Sequence, residues 1–137
     1  MTTPPTPCVC VGAVAIDDGC LLLVRRHNEP GRGSWSVPGG RVEPGETVQE
    51  AVVRELAEET GIEGVVTGLI GVAERIGDDH HFVILDYSVE VLAPAPPEAG
   101  SDAAEARWVP LADVAELDLV DGLAEFLHEH GIIDTIT

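Results

Sequence analysis

The segment 47–61 limits the possible folds more than any other part of the sequence. Its pattern predicts one helix whose inward face changes from apolar to acidic along its length. Thr47 is a suitable N-cap, the run after it contains no Gly or Pro, and Gly61 supplies a left-handed stop. At roughly 100° per residue, one stripe of this helix begins with valines and ends with glutamates. Its members are Val48, Val52, Glu55 and Glu59, flanked by Leu56 on one side and by Ala51 and Glu58 on the other.

The acidic end of this helix predicts a metal site. A solvated helix favours Lys or Arg in its last turn, where the macrodipole is already negative, yet glutamates crowd this end. Like charges four residues apart repel by roughly 0.2–0.5 kcal/mol even in water, so a positive partner is expected. Mg²⁺ or Mn²⁺ with oxygen ligands fits best. An acidic helix in an acidic protein would explain the number of glutamates but not their alignment.

The same stretch resembles the Nudix box, whose pattern is Gly, five residues, Glu, seven residues, then Arg-Glu-apolar-any-Glu-Glu-any-Gly-apolar. The chain fills every fixed position, with Gly40, Glu46, Arg54, Glu55, Leu56, Glu58, Glu59, Gly61 and Ile62. A match of this length is far more specific than a short glycine motif. The preceding residues 35–39 also resemble the usual lead-in of the family.

The resemblance implies hydrolysis of a phosphoric anhydride bond with Mg²⁺ or Mn²⁺ as cofactor. The metal ligands that it implies are Glu55, Glu58, Glu59 and the Gly39 carbonyl. Arg54 lies within helical reach of Glu50 and Glu58, so it is expected to orient a glutamate, and Glu46 is expected to join that network.

The general base is not at a fixed position in this family. It is a box glutamate in some members and an acid from a later loop in others. The later acids in this chain are Glu98, Asp102 and Glu105, ahead of Trp108. Asp102 and Glu105 are the favoured candidates among them.

The charge of the chain excludes several classes of partner. A formal net charge of −18 argues against nucleic-acid backbones and anionic membranes as partners. A small nucleotide is also an anion, so it would have to arrive with metal. All seven basic residues are arginines, and several of them cluster before the box. The predicted substrate contacts in this segment are Arg25, Arg26 and Arg41, with Arg32 nearby. Trp35 is a candidate for stacking on a base, although a packing anchor before the Pro-Gly-Gly turn is the role we favour.

Length and patterning predict a single domain over residues 1–137, with residues 1–7 as a flexible tail. Strands are predicted over 8–16, 20–24, 65–76, 81–92 and 106–109, and a second helix over 120–130. This order gives an α/β (α+β) fold, an α/β/α sandwich with a mixed sheet between helices, which the resemblance also implies. No membrane span or signal peptide is evident, so a cytoplasmic protein is expected. A homodimer is one possible quaternary structure.

The box does not identify the substrate, because residues outside it contact the group attached to the diphosphate. Residues 101–110 resemble the same segment of small bacterial members of the family that are often labelled ADP-ribose pyrophosphatases. The favoured substrate is therefore ADP-ribose or a similar nucleoside diphosphate sugar. Nucleoside triphosphates, including oxidised ones, are the alternative. The intact glutamates argue against a non-catalytic nucleotide-binding module, and the lack of a D-x-D-x-D-G loop argues against a calcium-binding protein.

Overall fold

The computed structural model describes residues 3–29, 31–93, 95–100 and 103–134. The strands are β1 (Cys8–Asp17), β2 (Cys20–Arg26), β3 (Trp35–Ser36), β4 (Gly39–Arg41), β5 (Gly64–Ile76), β6 (His81–Val91) and β7 (Ala103–Pro110). The helices are α1 (Val48–Thr60), the 3₁₀ helix Leu111–Glu116 and α2 (Leu123–Glu129). None of these helices in the described part of the chain is long and apolar enough to cross a membrane.

The strands form one mixed sheet with the main order β3-β2-β1-β6-β5. β1 and β6 are parallel, from Cys8 opposite Phe82 to Ala15 opposite Val89. β4 and β2 pair antiparallel with different parts of β1, β7 pairs with β2, and β5 pairs with β6. With α1 on one face and α2 on the other, the predicted sandwich is confirmed.

α1 begins and ends where the sequence predicts. The Thr47 hydroxyl accepts a hydrogen bond from the Glu50 N–H at 3.1 Å, and the Glu50 carboxylate accepts one from the Thr47 N–H at 3.0 Å. This reciprocal cap contributes about 1 kcal/mol to helix stability. At the other end Gly61 has a φ of 72° and donates to the Ala57 carbonyl.

Apolar contacts fix the orientation of α1. Ala51, Val52 and Leu56 are fully buried against the sheet, where they meet Val11 and Tyr87 among others. The helix cannot rotate about its axis without exposing these side chains, each of which contributes about 1–3 kcal/mol by burial. The glutamates of the last two turns are therefore held in a fixed direction.

The 3₁₀ helix and α2 cover the opposite face of the sheet. Leu123, Phe126 and Leu127 are buried there as predicted, and Val114 of the 3₁₀ helix joins the same apolar cluster. This second layer leaves the end of β2 and the start of β4 accessible beside α1, and that is where the candidate site lies.

Several boundaries differ from the sequence predictions. β2 continues to Arg26 and β7 begins at Ala103, because the two strands pair along their whole length with Arg25 opposite Glu105. α2 begins at Leu123 rather than at residue 120, since Gly122 has a φ of 82° that interrupts the helix. The 3₁₀ helix was not predicted, because six residues are too few for a periodic pattern.

Candidate metal and phosphate site

The glutamates of the last two turns of α1 do not all point the same way. The Glu55 side chain is 15% exposed and Glu59 is half-buried, whereas the Glu58 side chain is 60% exposed. Glu55 and Glu59 are one turn apart and share the inward stripe, while Glu58 lies on its flank. Glu55 and Glu59 therefore point inward together, as expected, whereas the Glu58 side chain is largely exposed.

Arg54 joins the surrounding acids in one network. Its Nε and Nη2 donate to the two carboxylate oxygens of Glu46 at 2.6 and 2.9 Å. Its Nη1 donates to Glu55 at 2.6 Å and to Glu58 at 3.1 Å, and Nη2 also donates to the Arg41 carbonyl at 3.1 Å. The hydrogen bonds from Arg54 lower the pKa of Glu46 to about 2. Arg54 thus contacts Glu46 and Glu58, as expected from the sequence, and it also contacts Glu55.

Glu50 has a different position from the expected one. Within the described residues its carboxylate caps α1 and makes no contact with Arg54. Glu43, which the sequence analysis did not single out, approaches Arg54 Nη1 at 3.7 Å instead. The reason is that Arg54 extends towards the loop before the helix, while Glu50 bends back to the helix N-terminus.

Glu59 lies against the backbone of β4. Burial raises the pKa of Glu59 well above its usual range, and the neighbouring Glu55 carboxyl raises it further, while the Gly39 backbone and the charge of Arg26 act in the opposite direction. Gly40 allows the close approach of α1 to this strand, because a Cβ atom there would lie only 2.7–2.9 Å from atoms of the Glu55 carboxylate. Any other residue would displace Glu55.

These groups line a cavity of about 220 Å³ with two unlike ends. Its lining comprises Gly39, Gly40, Glu55, Glu59, Arg26, His27 and Asn28. A neighbouring cavity of about 360 Å³ shares Arg26, His27 and Asn28 and adds Arg25, Arg32, Gly33 and Ala104. An acidic end on α1 and β4 therefore adjoins a basic end formed by β2 and the loop after it.

The donor set at the acidic end fits a divalent ion. Glu55 and Glu59 supply carboxylate oxygens beside the backbone of β4, and oxygen ligands are those that Mg²⁺ and Mn²⁺ prefer. Arg54 and Arg26 neutralise only part of the charge of the surrounding acids. In the described ranges no three His, Cys, Asp or Glu side chains are already gathered around one point. Glu58 would have to change its rotamer to join the other two.

Two of the residues considered as substrate contacts before α1 differ, since Trp35 is buried and Arg41 is exposed. Trp35 is 7% exposed within the apolar cluster under α2, and the guanidinium of Arg107 lies 4.9 Å from the centre of its ring. It packs as the anchor that the sequence analysis favours. Arg41 is exposed on β4, and its carbonyl accepts a hydrogen bond from Arg54.

Of the acids considered as general bases, the two that the structure describes, Glu98 and Glu105, are not gathered with Glu59. Glu105 lies on β7, where it pairs with Arg107 and approaches Arg25 at 3.8 Å. Glu98 is exposed, and its N–H donates to the Thr60 carbonyl at the end of α1. Asp102 lies outside the described residues. The identity of the base stays a prediction.

Asp86 is an unusual residue that the sequence analysis missed. It lies in β6, is 5% exposed, and burial raises its pKa to about 6. A signal for it exists in the sequence, since it is the one acid within the apolar run 82–89 of a predicted strand. Charged residues are rarely fully buried without a partner, so such a position indicates a special role.

A family comparison decides the assignment. The model of the NUDIX domain matches residues 6–130. The chain belongs to the Nudix family. The predicted family and enzyme class are therefore confirmed, and Nudix hydrolases in general act on nucleoside diphosphate derivatives and need divalent metal ions.

Similar proteins agree with the Nudix assignment. An ADP-ribose pyrophosphatase from Methanocaldococcus jannaschii is 39% identical over 113 residues, which cover 81% of this chain and 66% of that protein, just under two thirds of its length. A putative 8-oxo-dGTP diphosphatase 2 from Mycobacterium tuberculosis is 36% identical over 116 residues, covering 80% of this chain and 79% of that protein. The crystal structure of a MutT NUDIX hydrolase from Burkholderia pseudomallei superposes with a TM-score of 0.78 at 29% identity, covering 90% and 98% of the two chains.

Proposed function

We propose that this Nudix protein uses Mg²⁺ or Mn²⁺ to hydrolyse a phosphoric anhydride bond in a nucleoside diphosphate linked to a second group. The observation that carries the proposal is the cavity in which Glu55 and Glu59 face Arg26. A metal–diphosphate complex needs carboxylate oxygens on one side and a cation on the other. This cavity offers both within about 220 Å³.

Glu55, Glu58, Glu59 and the Gly39 carbonyl would hold the metal. When bound, the metal neutralises phosphate charge and lowers the pKa of a coordinated water. The residues of the chain supply the rest. Arg54 keeps Glu55 oriented, and Arg26 attracts a phosphate oxygen at the junction of the two cavities. Arg25 and Arg32 extend this positive region for the second phosphate or the group attached to it.

ADP-ribose is the first substrate that we propose. A relative that shares 39% identity with this chain is named an ADP-ribose pyrophosphatase. The alternative is a nucleoside triphosphate, including 8-oxo-dGTP, because another relative with 36% identity is named a putative 8-oxo-dGTP diphosphatase. We propose a cytoplasmic enzyme with a small-molecule partner and without a nucleic-acid or membrane partner.

The test is product analysis on a panel of ADP-ribose, dGTP and 8-oxo-dGTP with Mg²⁺, with Mn²⁺ and with a chelator. Hydrolysis of ADP-ribose gives AMP and ribose 5-phosphate, whereas a triphosphate gives a monophosphate and pyrophosphate. Glu58→Gln and Glu59→Gln are expected to lose activity and keep the fold. Glu63→Gln is the control, since Glu63 is an exposed acid just beyond α1. No hydrolysis of any compound with either metal, or wild-type rates in both site variants, would contradict the proposal.

A further inference from the structure

Part of the sheet is uncovered on the side that carries α1. Tyr87 and Val89 of β6 are buried in the cluster under α1, so the alternate residues Leu85 and Val83 lie on the same side of the sheet. The β5 positions opposite Leu85 and Val83 are exposed, and so is Val9, which is opposite Val83 on β1. We call this surface the bare face, and its apolar side chains are Val9, Leu69, Val72, Ile76, Val83 and Leu85.

β5 is covered on one side only. From Val72 to Ile76 exposed residues alternate with half-buried ones, and the exposed ones belong to the side of the bare face. Leu69 is 53% exposed, Val72 55% and Ile76 68%. The rise per residue and the spacing of strands give the bare face a footprint of about 25 by 15 Å. Monomeric proteins rarely leave an apolar patch of that size open to water.

The bare face is nearly uncharged although the chain has a net charge of −18. In the described residues the one acid between its β5 positions is Glu74, whose carboxylate lies 3.3 Å from His81 Nε2. Two copies of so acidic a chain repel each other over most of their surface, so they can approach only where acids are absent. A basic partner would be attracted to the acidic surfaces instead. The charge therefore favours a second copy of this chain as the partner of the bare face.

The space beside the bare face fits the same partner. α1 packs on β1 and β4, with Glu55 beside Gly40 of β4. Val53 is about 160° around the helix from Glu55, so it lies on the flank towards β6 and β5, where it is exposed. A helix is about 10 Å thick, and two sheets pack about 10 Å apart. The bare half of a second sheet therefore fits beside α1 at the height of the helix.

We propose that this protein forms a twofold homodimer in which bare face packs on bare face. A twofold axis along β5 and β6 places α1 of each copy beside the outer edge of the partner's β5, which pairs with no other described strand. Val53 and this edge are then covered together. The footprint corresponds to a buried area on the order of 1,000 Å² in total, the size of a weak interface. The expected dissociation constant is on the order of 10 μM.

The test is sedimentation equilibrium of the wild type, Val72→Lys and the matched control Val65→Lys. Val72→Lys should weaken the dimer more than about tenfold, because it removes an ammonium group from water inside the interface. It also makes the net charge less negative, so added repulsion cannot explain a loss. Val65 is 43% exposed on the same strand but lies on the other side of the sheet, since its neighbour Val66 packs under α1. Val65→Lys should dimerise at least as well as the wild type.

Salt gives an independent measurement on the wild type. Raising NaCl from about 50 to about 500 mM should tighten the dimer about threefold or more, because it screens the repulsion between two acidic chains. A dimer held by ionic contacts elsewhere on the surface would weaken instead, and that result would overturn the proposal.

The other outcomes also decide. The mass of one chain at every concentration up to about 200 μM and at both salt levels would overturn the dimer. Equal dimerisation of Val72→Lys and Val65→Lys would overturn the bare face as its surface. If circular dichroism shows that Val72→Lys is unfolded, Ile76→Lys replaces it, because Ile76 is the most exposed apolar residue of the bare face and ends β5. The same loss of more than about tenfold is expected for Ile76→Lys.

Discussion

Arg54 shows how one residue can order a group of acids that repel one another. Its guanidinium donates to both oxygens of Glu46 and to Glu55, so a single side chain links the loop before α1 to the inward stripe. A bidentate guanidinium fixes direction as well as charge. The Glu55 carboxylate is therefore held in one direction by Arg54.

Arg54→Lys is expected to lower kcat/KM about 10- to 100-fold, because an ammonium group cannot donate to Glu46 and Glu55 in the same fork geometry. Steady-state hydrolysis of the best substrate in the panel measures this loss. Glu43→Gln is the matched control, since Glu43 is 64% exposed and approaches Arg54 only at 3.7 Å. A wild-type rate for Arg54→Lys would show that the network does not position Glu55.

Asp86 should make stability depend on pH. Burial raises its pKa from 3.8 to about 6, so the folded protein holds this proton more tightly than the unfolded chain does. The free energy of unfolding contributed by this group is therefore fully present below pH 3.8, falls as the pH rises to about 6, and stays lowered above it. The stability gained in Asp86→Asn relative to the wild type should be about 2 kcal/mol larger at about pH 7.5 than at about pH 4.

Urea unfolding at the two pH values measures that difference for Asp86→Asn. The control Glu90→Gln removes the same charge from an exposed position of β6 and should show little change with pH. The same gain for Asp86→Asn at both pH values would mean that the carboxyl does not titrate differently in the folded protein.

At the scale of helices and strands, the boundaries and turns that depend on local sequence could be predicted, whereas the pairing of strands far apart in the chain could not. Thr47 and Gly61 mark the two ends of α1 in the structure, as they do in the sequence. The Asp18-Gly19 turn joins β1 and β2, with φ angles of 48° and 74°. The pairing of β7 with β2 extends both strands beyond their patterns, because it depends on residues about eighty positions apart. For the same reason the shared inward direction of Glu55 and Glu59 on α1 was predictable, whereas the exposure of Glu58 and the burial of Asp86 were not.

The approach of β4 to α1 gives a test at this scale. Gly40→Ala places a Cβ atom 2.7–2.9 Å from the Glu55 carboxylate, so Glu55 must move. A misplacement of about 1 Å costs on the order of 100-fold in rate, and we expect a loss of that size in kcat with little change in the melting temperature. Gly68→Ala is the control, because a Cβ atom there meets nothing within 4 Å. Equal rates for the two variants would mean that the position of Glu55 does not matter.

At the scale of the whole molecule, the net charge of −18 affects every measurement made with metal ions. Repulsion among so many acids destabilises the compact state, and any salt screens part of it. A rise in melting temperature on adding MgCl₂ would thus have two sources. One is screening over the whole surface, and the other is binding at Glu55 and Glu59, which gathers carboxylates only in the folded state.

Thermal melts at matched ionic strength separate these two sources. In NaCl the wild type and Glu59→Gln should gain stability equally, because screening does not depend on one site. In MgCl₂ the wild type should gain an additional amount that grows with metal concentration, by about 2.7 kcal/mol at a hundred times the dissociation constant. Glu59→Gln should lose most of this addition, whereas Glu63→Gln, which removes an exposed acid, should keep it. An equal response of all three proteins to MgCl₂ and NaCl would mean that the acids of α1 bind no metal without substrate, and the metal would then have to enter together with the nucleotide.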